Sequence, residues 1–148
     1  MKNVLYFLLT SVCSIGLAGA APGGPACKID TLAGSYAGTV SGHNTGGAPV
    51  AYQAIAHFDG AGHFSLSGFT DVENGTVLVS NASASGGTYQ VNPDCSGSIQ
   101  ITAGGGTFRF AILVTGRNAS QFQMLETDGA ATTTGNAVLQ SAGSRNQP

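Results

Sequence analysis

From residue 86 to 110 the chain reads GGTYQVNPDCSGSIQITAGGGTFRF. Small or polar residues alternate there with Tyr89 and Val91, then with Ile99 and Ile101, then with Phe108 and Phe110. Turn-forming clusters separate the runs, PDCSG at 93–97 and GGG at 104–106. Alternation of period two between such clusters predicts antiparallel strands joined by hairpins.

The same pattern extends in both directions. Residues 27–32 form one short helical turn or run straight into the first strand, 34–42, where Tyr36 and Val40 share a face. A Gly/Pro-containing loop, 43–49, leads to a second strand at 50–59 with Tyr52, Ala54, Ala56 and Phe58 on one side. The tight turn DGAG follows at 59–62: glycine supplies positive φ, and Asp59 hydrogen-bonds the local backbone. Further strands are predicted at 63–70 and 76–80, separated by a turn at 71–75. A polar loop, 81–87, precedes strands that begin at Thr88, Ser98 and Thr107. The last two lie at 121–127 and 132–140. Eight to nine short strands joined in series, with little helix, predict an all-β fold, a small closed antiparallel up-and-down barrel. Closure also removes the free edges on which strands of different chains pair.

The first 20 residues stand apart. Lys2 is followed by an apolar run and by Ala18-Gly19-Ala20, the plan of a secretory signal peptide cut after Ala20. Residues 21–33 then form a lead segment, 34–140 the barrel domain and 141–148 a polar tail. Export to a secreted or periplasmic location is the expectation, with no membrane attachment after cleavage. The remaining 128 of the 148 residues make one domain. They carry four basic and seven acidic side chains. That balance offers no basic patch, so nucleic acid is excluded as a partner. Two cysteines remain, Cys27 and Cys95, and an even count in an exported chain predicts a disulfide. A metal held by the pair is disfavoured for want of nearby ligands.

Three stretches, DGAGHF at 59–64, GTYQVNPDCSGSI at 87–99 and LETDGAATTTGNAVLQ at 125–140, resemble small exported bacterial proteins with an allene oxide cyclase-like barrel. These are relatives of the calycin and dirigent type, with a lipocalin-like shape. The resemblance implies a closed antiparallel barrel around a small lumen. No catalytic motif of the plant cyclases carries over residue by residue, and a fold by itself assigns no activity.

Candidate chemistry follows from parity. Tyr36, Tyr52 and Tyr89 point inward, where a hydroxyl either orients a ligand or is satisfied at a barrel end. Phe110 and Met124 share that face, and Glu126 continues it toward a mouth. A lone buried carboxylate is costly, which places Glu126 at a wet rim unless it finds a partner. Arg109 has the opposite parity and faces solvent. His57 and His63 flank the DGAG turn and would approach one another across that hairpin, yet two imidazoles without a carboxylate are too few for a metal. His43 sits exposed in a loop. No hydrolase elbow, phosphate-binding loop or zinc-protease motif is present, so no cofactor and no metal are expected. The leading expectation is a barrel that binds a small apolar or amphipathic molecule through Tyr36, Tyr52, Tyr89, Phe110, Met124 and Glu126. The alternatives are a cyclase or isomerase using Tyr52, Tyr89 and Glu126, or a surface or matrix structural protein. The oligomeric state is left open.

Overall fold

The structure, a computed structural model, describes residues 26–103, 106–129 and 131–142. The leader expected at 1–20 lies outside the described residues. Eight strands follow in chain order: β1 Gly34–Asn44, β2 Pro49–Phe58, β3 His63–Glu73, β4 Thr76–Val91, β5 Ser96–Ala103, β6 Gly106–Thr115, β7 Gln121–Glu126 and β8 Ala131–Ala142. Each pairs antiparallel with its neighbour in sequence, and β8 returns to β1, closing an up-and-down barrel. A 3-10 turn, Ile29–Leu32, precedes β1, and another, Arg117–Ala119, joins β6 to β7.

Among the described residues the barrel has eight strands, within the eight to nine expected, because two of the expected strands are one. Residues 81–87, expected to be a loop, carry β4 straight through to the stretch that begins at Thr88. Small polar residues there tolerate bends, and Asn81 (φ 51°) and Gly86 (φ 71°) take left-handed conformations inside the strand. Such residues act as bulges that turn a long strand around a barrel. Gly86 leaves no room for a side chain: a Cβ would sit 1.9 Å from the Phe64 carbonyl oxygen. On β3, Gly68 (φ 62°) also takes a left-handed conformation, and the β3–β4 register shifts repeatedly. The strand also runs past the expected turn at 71–75, which shrinks to Asn74 and Gly75. The final strand enters the tail as far as Ala142, opposite Gly34.

One end of the barrel is a floor. Phe58 packs against Tyr36, Phe64, Tyr89 and Phe122, with ring centroids between 4.9 and 5.8 Å apart. Leu32, fully buried, plugs this end from the first 3-10 turn. The Tyr36 hydroxyl donates to the Ala119 carbonyl at 2.8 Å, and the Tyr89 hydroxyl to the Ile29 carbonyl at 3.1 Å. Cys27 and Cys95 form the disulfide, with Cα atoms 5.0 Å apart. It fastens the lead segment to the β4–β5 turn, beside a hydrogen bond from the Cys27 amide to the Pro93 carbonyl. No helix among the described residues is long and apolar enough to cross a membrane.

Candidate functional site

Above the floor the lumen holds a cavity of about 280 Å³. Small residues create it. Gly38, Ala54, Ala56 and Ala84 face inward where larger side chains would meet in the middle. The lower lining is aromatic and buried (Tyr36, Phe58, Phe64, Phe110 and Phe122). At the other end Tyr52, Phe69, Asp71, Val79 and Phe108 line the cavity and are only half-buried, so the lumen reaches solvent there. This mouth is where the polar groups gather.

Tyr52 stacks on Phe69 at 6.4 Å with the ring planes 13° apart. Its hydroxyl has no hydrogen-bond partner among the described residues. Burial first, then the negative charges of Asp71, Glu126 and Glu73, raise its pKa and keep it a proton donor. Asp71 lines the cavity with Oδ1 buried and unpartnered; burial and then Glu73 raise its pKa. Asn44 donates from its amide to Glu73, and the Asn44 side-chain oxygen accepts from the Gly46 and Ala48 amides, so the β1–β2 loop holds Glu73 in place.

Glu126 is 8% exposed, not at a wet rim. Its Oε2 accepts a 2.6 Å hydrogen bond from the Thr133 hydroxyl. Oε1 is buried without a partner. Gly42 makes this pairing possible: a Cβ there would fall 2.0 Å from the Thr132 carbonyl oxygen, so only glycine lets β1 lie close beside Thr133. Burial is the main cause that raises the Glu126 pKa; the Thr133 hydrogen bond opposes it, and neighbouring Asp128 adds to it. Arg109 plays no part, since its backbone amide, not its guanidinium, meets Asp128, at 2.9 Å.

A carboxyl group with a raised folded pKa contributes most stability when protonated. That contribution is complete below the ordinary glutamate value of 4.5 and is lost as pH rises through the folded value. Glu126→Gln keeps an oxygen for Thr133 and carries no charge. The variant is therefore expected to gain stability relative to wild type as pH rises from about 4 to about 8, as measured by urea unfolding across that range. A fall in the variant's stability relative to wild type as pH rises would contradict this.

Of the residues marked in the sequence, Tyr36, Tyr52, Phe110 and Met124 line the cavity. Tyr89 is committed to the floor, its hydroxyl spent on Ile29. Glu126 stands beside the mouth, opposite Phe110 in the register. The expected approach of His57 to His63 is not found. His57 lies across from Ser65 and bonds the hydroxyls of Ser35 and Ser67, both at 2.8 Å. His63 lies 3.3 Å from Asp59, whose carboxylate caps its own turn through the Ala61 and His63 amides. Those amide bonds hold the Asp59 pKa below the ordinary value. Among the described residues no group of three or more metal-binding side chains forms. Asp71 and Phe69 were missed because the inward face changes parity. Phe64 and Leu66 are even-numbered; after Gly68 the inward residues are Phe69 and Asp71. An apolar residue out of phase just after a glycine is the signal that marks such a bulge.

Comparison with protein-family models, with curated proteins and with solved structures finds no match to this chain.

Proposed function

We propose that this chain is an exported barrel that takes a small apolar or amphipathic molecule into its lumen. The apolar cavity of about 280 Å³, closed below by aromatic rings and half-open above, carries this reading. A dry apolar cavity of about 150 Å³ already binds benzene, so the space here suits a body of roughly twice that size. The disulfide and the leader-like N-terminus support export. The likeness to allene oxide cyclase-like barrels agrees with the lumen and supplies no substrate.

Ala54→Leu tests the proposal. Ala54 is a half-buried cavity residue, and the larger side chain points into empty space. The variant should stay within about 1.5 kcal/mol of wild-type stability. It should also lose the small molecules that native mass spectrometry detects on wild-type protein purified from its own host. Equal ligand retention by both proteins counts against a lumen site.

A second reading has one observation in its favour. The unpartnered Tyr52 hydroxyl and the Asp71 carboxyl face the same apolar cavity, an arrangement suited to proton transfer in a cyclase or isomerase. On that reading Asp71 replaces Tyr89 and Glu126 as the partner of Tyr52. Tyr52→Phe would abolish turnover while leaving binding intact.

A further inference from the structure

We infer that the mouth selects molecules whose apolar body ends in a protonated amine, an inference that rests on the lumen reading above. The lower cavity offers nothing but hydrocarbon and ring faces. Among the described residues every ionisable group that faces the mouth is an acid: Tyr52 on β2, Asp71 and Glu73 on β3, Glu126 on β7, with Asp128 just beyond it. Among the described residues the basic side chains do not face the mouth: Arg109 and His43 are exposed on the outward parity of β6 and β1, and Lys28 and Arg117 belong to the floor end.

Two features separate this from an ordinary acidic rim. Glu126 is more than nine-tenths buried, shares the inward parity of Phe122 and Met124 beside the cavity lining, and leaves Oε1 without a donor. Asp71 Oδ1 is likewise buried and unpartnered while lining the cavity itself. Buried carboxylate oxygens without donors cost free energy that a ligand donor recovers. An ammonium group brings up to three donors and a positive charge to a place where low dielectric strengthens the attraction. The same field repels a carboxylate, so fatty acids and their oxidised derivatives are disfavoured occupants. Phe108, Tyr52 and Phe69 line the same cavity as Asp71, and aromatic ring faces also attract a cation.

The test uses three probes with one apolar body: 3-phenylpropylamine, 3-phenylpropanol and 3-phenylpropanoate. Each is titrated into the purified protein by calorimetry, while methyl NMR follows Met124 inside the lumen. The amine is expected to bind at least ~10-fold more tightly than the alcohol at neutral pH, and the acid more weakly than both. The amine's advantage should shrink as pH falls and the mouth carboxylates take up protons. The double variant Asp71→Asn/Glu126→Gln should abolish the amine's advantage, so that amine and alcohol bind this variant with equal affinity. Equal affinity for amine and alcohol, or a preference for the acid, overturns the head-group inference while the lumen reading stands. Amine binding that leaves the Met124 methyl unmoved overturns it too, as mere attraction to an acidic surface. If no probe binds and Ala54→Leu also changes nothing, the lumen reading itself falls.

Discussion

Phe58→Ala should cost roughly 3–5 kcal/mol of stability, the largest effect expected of a single substitution here. Phe58 is 5% exposed and is the ring that Tyr36, Phe64, Tyr89 and Phe122 all touch. Three of the four contacts are edge-to-face, the arrangement that adds to simple area burial. The hydrogen-bonded strands around it prevent the floor from collapsing into the gap, so the cavity term adds to the lost transfer free energy. Because Phe58 also lines the lumen, the space it leaves joins the existing cavity. Urea unfolding gives the stability change. Probes one ring longer than those that fit the wild type should then bind the variant selectively. A loss below about 1.5 kcal/mol would show that the neighbouring rings close over the site, and the longer probes should then fail to enter.

Replacing both cysteines, Cys27→Ser with Cys95→Ser, should lower stability by roughly 2–4 kcal/mol. The bridge spans 68 residues of sequence, and restricting a loop of that length in the unfolded chain accounts for about 4 kcal/mol before any native strain. The barrel is expected to persist, since the pairing of β8 with β1 closes it without help from the disulfide. Far-UV circular dichroism should therefore stay that of a β protein while the urea midpoint falls. Local protection at the floor should fall as well. Without the bridge, the 3-10 turn that carries Leu32 depends on the Tyr89–Ile29 hydrogen bond and on apolar packing. Hydrogen exchange at the Thr31 and Ala33 amides, both bonded within that turn, reads this directly. Unchanged stability in the double variant would mean that the unfolded chain is already compact between the two positions.

The barrel and its disulfide were legible because their signals are local. Alternation at 88–92 and 98–102 sets which face of each strand is apolar, and outside the leader-like segment that holds Cys13 only Cys27 and Cys95 can pair. The mouth was harder to read. Asp71 sits next to Glu73-Asn74-Gly75, a cluster that resembles a turn, and its inward aim depends on the one-residue phase change at Gly68. Residues 81–87 failed for a related reason: AlaSerAlaSerGlyGly lacks the β-branched and aromatic residues that mark a strand. Pairing with β3 carries the segment where propensity would not. Parity puts Glu126 on the inward face, but its burial needs a partner that parity alone does not identify. Thr133 comes to it across the sheet, admitted by the absence of a side chain at Gly42.

Gly34 lies opposite Ala142 in the register, and Ala26 and Cys27 lie beneath the floor, so both ends of the described chain leave the barrel on the side away from the mouth. The molecule thus has the geometry of a cup with its handle at the base. A reporter protein or a surface linker joined at either end would leave the rim clear. Joining the two ends to each other and reopening the chain at the exposed Asn74–Gly75 turn would move the new termini to the rim. A fluorophore fixed there would report on whatever enters.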